Sequence, residues 1–177
     1  VRWHGRSIQN LREDFYRELL YCGHAAGVKD DLAAWENVAV STRLSGKSCS
    51  RDEAYQALEQ VGLLNIAHLP ARSLSQGQRK RVALARLCVQ PRPKLLLLDE
   101  PFTALDQRSI NSLGDILNLH LAQGGVVVYT THQELTLKAQ RLHRLDLNPA
   151  LSPMSNSNSS PNLSPALSQP LSATASC

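Results

Sequence analysis

The sequence predicts an α/β fold built around a parallel sheet. Lys94–Asp99 is a continuous apolar run ending in acid, Val126–Thr131 is a second, β-branched run, and a helical stretch joins them. Strand, crossover helix and strand in that order make parallel neighbours. Apolar runs without alternation read as strands buried on both faces, and both runs are read that way. A third observation bounds the folded unit: every charged residue lies at or before Asp146, and Asn148–Cys177 carries none. We therefore expect one domain over residues 1–147 and a tail over 148–177. With 177 residues, 42% of them hydrophobic and 19% charged, the chain can bury a core, which excludes disorder throughout. Apolar runs such as Leu95–Leu98 fall far short of the ~20 residues that cross a bilayer.

The elements follow in order. Val1–Gly5 reads as the middle of a strand and a turn, and the first residue is Val rather than Met, so further residues are expected upstream. Residues 7–40 read as mixed loop and helix, with a short strand at Leu19–Cys22 ending at Gly23. Ser50 and Glu53 form a capping box, in which each side chain satisfies an orphan amide of a helix's first turn. Ala54, Ala57, Leu58 and Val61 follow on one helical face, closed by Gly62. A second box, Ser75 with Gln78, opens a helix through Val82, Leu84, Ala85 and Leu87 that stops before Pro91 and Pro93. Asp106 can cap the crossover helix, which runs to about Ala122 and ends at Gly124-Gly125. A short helix from about Glu134 and a strand at Leu142–Leu147 complete the domain. The tail repeats Leu-Ser-Pro and is rich in Ser, Pro and Asn, so burial cannot offset its ordering entropy and it is expected to be disordered.

Composition narrows the function. A net charge of +4 is the mild excess of a solvated surface rather than a nucleic-acid footprint. Arg79, Lys80, Arg81 and Arg86 read as the solvated and interface face of their helix. The four cysteines are widely spaced, which argues against a zinc site or a disulfide framework. No basic stretch followed by an apolar one opens the chain, so no secretory signal is read.

Ligands of parallel sheets sit beyond the carboxyl ends of the strands, where Asp99, Glu100 and His132 are placed. An Asp ending a buried strand suits a magnesium–nucleotide site, and the adjacent carboxylate can polarise a water; two acids at a strand exit are the plain alternative. Leu74–Gln78 opens a helix whose free amides and positive dipole end suit a phosphate, although the same Ser and Gln also make a simple cap. His132, ending Thr130-Thr131-His132, can donate to a phosphate or orient a water, or be structural.

Taken together and in this order, the motifs resemble the nucleotide-binding domain of ABC-type ATPases. Leu74–Gln78 matches the family signature and Leu95–Glu100 the Walker B strand; Thr103–Asp106 matches the D-loop and His132 the switch histidine. The resemblance implies a P-loop NTPase-like parallel sheet with a helical subdomain at about residues 28–75. It implies a head-to-tail dimer with ATP between one subunit's Walker motifs and the other's Ser75, Gly77 and Gln78. Asp99 would serve Mg2+, Glu100 the attacking water and His132 the γ-phosphate, while Asp106 would link the two sites at the interface.

Two features depart from the pattern. No G-x-x-x-x-G-K-[ST] phosphate loop is present: Gly46-Lys47-Ser48 has Ser41 where the first Gly belongs and no buried strand before it. The loop and its preceding strands are expected upstream of Val1, and the chain without them is expected to be inactive. At the Q-loop, Gly23–Gly27 places Ala25 where a glutamine is usual.

The spacing from Gly23 to Ser75 fits a transporter ATPase, since no heptad run of the chromosome-maintenance type occurs. Gly23-His24, Gly27–Lys29, Glu36–Val38, Asp99–Asp106 with Phe102, and Thr130–Gln133 are together similar to the ATP-binding subunits of bacterial heme exporters of cytochrome c maturation. That implies membrane-embedded partner subunits, a place on the cytoplasmic face of the inner membrane, and no direct contact with heme or nucleic acid. The alternatives are a non-catalytic domain lending its signature in trans and a nucleic-acid-associated ABC ATPase.

Overall fold

The computed structural model describes residues 1–10, 12–132 and 137–145. The chain divides into two units, Val1–Arg141 and Leu142–Cys177. Of the second, residues 142–145 are described and form neither strand nor helix, unlike the expected strand at Leu142–Leu147. The short helix expected from Glu134 and the expected disordered tail lie outside the described residues.

The first unit opens on a hairpin, β1 (Arg2–Trp3) antiparallel to β2 (Arg6–Ser7). Its turn residues His4 and Gly5 have φ of 49° and 77°, as a twist-matched two-residue turn requires. Trp3 Nε1 donates to Glu18 Oε2 at 2.7 Å, tying the hairpin to α1 (Arg12–Glu18).

The sheet behind the site has the order β3 (Leu19–Cys22), β4 (Leu95–Asp99), β5 (Val126–Thr130), all parallel as expected. Four consecutive leucines have no strong strand preference of their own. Burial decides: Leu95, Leu96 and Leu98 are almost wholly enclosed, each worth roughly 1.5–3 kcal/mol, against strand-propensity differences of about 1 kcal/mol at most.

β5 corrects one expectation. It is not buried on both faces: Val126, Val128 and Thr130 are exposed, and only Val127 and Tyr129 turn inward. Tyr129 meets Phe102 edge-on at 6.0 Å. Among the described residues nothing covers the face that carries Val126, Val128 and Thr130, so a run that reads as two-sided buries only one face.

Between β3 and β4 lie α2 (Ala34–Leu44), α3 (Arg51–Gln60) and α4 (Gln76–Leu84), the last continued by a 3-10 turn at Ala85–Cys88. Both expected capping boxes form, at Ser50/Glu53 and Ser75/Gln78. Gly62 closes α3 in the left-handed region, at φ 70°. α5 (Gln107–Ala122) starts at Asp106, whose Oδ1 accepts from Ser109 N at 2.8 Å, and it buries Leu113, Ile116, Leu117 and His120 at i, i+3, i+4 and i+7. The Gly46–Ser48 loop is no phosphate cradle, because Lys47 Nζ donates to the Pro91 carbonyl at 2.8 Å.

The return from α5 to β5 is sterically closed. A Cβ on Gly125 would stand 2.1 Å from Nε2 of the buried His120 ring. Gly125→Ala should therefore lower unfolding free energy by about 1–3 kcal/mol, read by denaturant titration. A change below a few tenths would mean that the ring moves aside freely.

Candidate functional site

The parallel register sets Asp99 beside Thr130 at the carboxyl ends of β4 and β5. Thr130 Oγ1 donates to Asp99 Oδ1 at 2.8 Å and accepts the Glu100 amide at 3.0 Å. The chain then turns sharply, with Glu100 at φ 47°, and Pro101 and Phe102 plug into the core. The Glu100 carboxylate is held at both oxygens. Thr103 Oγ1 donates to Oε2 at 2.9 Å, and His132 Nε2 lies 2.9 Å from Oε1. His132 is exposed while the Glu100 carboxylate is mostly covered, so solvent reaches the pair from the histidine side.

A few residues on, Ala104 adopts φ 65° and directs its carbonyl at α4. A Cβ on Gly77 would stand 2.7 Å from that oxygen, so a glycine is required here by a contact within the chain. At the α4 N-terminus, Ser75 Oγ accepts from Gln78 N at 3.2 Å and Gln78 Oε1 accepts from Ser75 N at 2.8 Å. The Ser75 hydroxyl proton and the Gln78 amide NH2 are not used by that box. The amides of Gln76 and Gly77 have no intrahelical acceptor. Cap and donor surface therefore coexist on one exposed turn. Asp106 carries its cap at the start of α5, and bonds from Ser109 hold its carboxyl below the ordinary range.

Asp99, Glu100 and His132 thus lie together, as do Gly77 and the 103–106 loop. Ala25 instead lines a cavity of about 110 Å³ with Cys22, Asn37, Lys80 and Arg86. Lys80 corrects the solvated-face reading. It is 7% exposed, its Nζ donates to the His24 carbonyl at 3.4 Å, and burial pushes its amine down while Cys22, Asp99 and Glu100 pull it up. The signal was present, since Lys80, Leu84 and Leu87 fall at i, i+4 and i+7 and all are buried.

Among the described residues no cluster of three or more His, Cys, Asp or Glu could hold a metal alone. One or two carboxylates are what Mg2+ asks of a protein when phosphates and waters complete its shell, so the hard oxygens of Asp99 and Glu100 fit that ion.

Residues 1–103 match the family described as ABC transporter. The chain is 48% identical over 148 residues, 84% of its length and 69% of the relative's, to the "Cytochrome c biogenesis ATP-binding export protein CcmA" of Nitrosomonas europaea. It is 42% identical over 82% of its length, and 68% of the relative's, to the protein of the same name from Pasteurella multocida. An ATP-binding cassette solved as a post-hydrolysis dimer with ADP and Pi aligns with TM-score 0.61 and 25% identity, over 72% of this chain and 57% of that one. By this match and these identities the chain belongs to the ABC transporter family, and its relatives include ATP-binding export proteins of cytochrome c biogenesis.

Proposed function

We propose that this protein is the ATP-binding and ATP-hydrolysing subunit of an ABC transporter that exports heme for cytochrome c biogenesis. The observation that carries this reading is the 48% identity to a named biogenesis export protein across the stretch that holds all the assembled motifs. Residues 1–147 form the nucleotide-binding domain, with about 28–75 its helical subdomain. Each ATP lies between two copies, one of which offers Ser75, Gly77 and Gln78 from the α4 turn to the phosphates. That turn is exposed, carries spare donors and has the positive end of a helix dipole.

In the facing copy Asp99 would hold Mg2+. The ion supplies charge neutralisation for the developing phosphate negative charge. Glu100 takes the proton of the attacking water. His132, which lies on Oε1 of Glu100 without nucleotide, turns its N–H to the γ-phosphate when ATP is bound. Asp106 lies where the copies meet. The β- and γ-phosphates also need a nest of backbone amides and a lysine, which none of the 177 residues supplies as a G-x-x-x-x-G-K-[ST] run. The 177-residue chain alone is expected to hydrolyse nothing, and turnover is assayed on the protein as its native gene encodes it.

No helix among the described residues is long and apolar enough to cross a membrane. The subunit works docked on membrane-embedded partners at the cytoplasmic face of the inner membrane and never touches heme itself. The test is genetic and chemical together. Removing the gene should abolish covalently attached heme in c-type cytochromes, and the wild-type gene should restore it while Glu100→Gln does not. Normal heme attachment in the deletion strain refutes the export assignment.

A further inference from the structure

We infer that Thr130 is a positioning residue for the hydrolytic acids, acting through Asp99 and through the backbone of Glu100. The inference rests on the proposed roles of those two acids. A carboxylate can only accept a hydrogen bond and an amide can only donate one. The Thr130 hydroxyl proton therefore points at Asp99 Oδ1, 2.8 Å away, and a lone pair takes the Glu100 N–H at 3.0 Å. One hydroxyl thus fastens the side chain of one acid and the main chain of the next.

The backbone bond matters because Glu100 sits at φ 47°, a left-handed conformation that a residue with a Cβ adopts only when its surroundings impose it. Thr103 and His132 hold the Glu100 carboxylate at its two oxygens, and the Thr103 amide donates to the Glu100 carbonyl at 3.3 Å, but of these three residues Thr130 takes the Glu100 amide and also reaches Asp99. The register Asp99↔Thr130 places the hydroxyl there, and Thr130 is exposed on its strand, so core packing does not require the residue. Catalytic groups need placement to within about 0.5 Å, and a misplacement of about 1 Å can cost on the order of a hundredfold in rate.

Thr130→Val keeps shape and strand preference and removes only the hydroxyl; Thr130→Ser keeps the hydroxyl. In the nucleotide-free native protein, exchange of the Glu100 amide should speed up about tenfold or more in Thr130→Val and return close to wild type in Thr130→Ser. In the complete native protein, kcat for MgATP should fall about ten- to a hundredfold in Thr130→Val with KM nearly unchanged, and Thr130→Ser should recover most of it. If Thr130→Val does not fold, Thr130→Ala must show the same two losses. Wild-type exchange and wild-type kcat in a folded variant overturn the inference, as does faster exchange with undiminished kcat. Glu100→Gln measured alongside separates the failures: if it too retains kcat, the assignment of Glu100 is wrong; if it loses kcat while Thr130→Val does not, the positioning role is wrong.

Discussion

Glu100→Gln will retain MgATP binding and lose turnover by about two orders of magnitude or more. The amide has the volume and shape of the carboxylate, so the Thr103 contact at 2.9 Å and the left-handed turn can persist. What it lacks is a basic oxygen, and a neutral amide cannot take a proton from water. Its NH2 cannot accept from His132 either, so at least one of the two carboxylate contacts is rearranged. Binding is expected to survive because, in the proposed roles, the α4 turn and a magnesium held by Asp99 would still engage the phosphates. Initial-rate hydrolysis and equilibrium ATP binding on the same preparation separate the two effects. Near-normal hydrolysis removes Glu100 from the base role.

Ser75→Arg will abolish ATP-driven dimerisation while leaving the protomer folded. The capping hydroxyl on Gln78 N is lost, which costs about 1 kcal/mol against a typical stability of about 5–15 kcal/mol. The protomer therefore survives. At the interface the cost is larger, because a long side chain enters the space where a phosphate should approach the amides of the turn. Its guanidinium also faces the positive end of α4. Sedimentation with and without MgATP reads the dimer, and a melting curve checks the fold. Unchanged dimerisation contradicts the placement of the signature turn across the interface.

Most of the local structure was legible because its determinants are local. Ser50, Ser75 and Asp106 announce helix starts through bonds spanning three residues, and all three caps form. The Leu95–Asp99 strand was legible because a continuous apolar run ending in acid follows two prolines. β5 was misread because an apolar run does not say how many of its faces have a neighbour. Lys80 was misread because a cation in a basic cluster looks solvated unless its helical phase is checked against Leu84 and Leu87. The contacts that finish the site were not legible at all. Thr130 reaches Asp99 only through the parallel register, and the need for Gly77 to lack a Cβ depends on where Ala104 turns its carbonyl. Both are products of tertiary placement that neither spacing nor residue type encodes.

In the proposed function two copies close around ATP, one giving the Asp99–Glu100 end of the sheet and the other the Ser75–Gln78 turn. The most direct measurement is the sedimentation mass of the complete native protein carrying Glu100→Gln, which binds nucleotide without consuming it. With MgATP the mass should double, and without nucleotide it should return to that of one protomer. A protein that binds MgATP yet stays at the protomer mass contradicts the composite site, and with it the roles assigned to Ser75, Gly77 and Gln78.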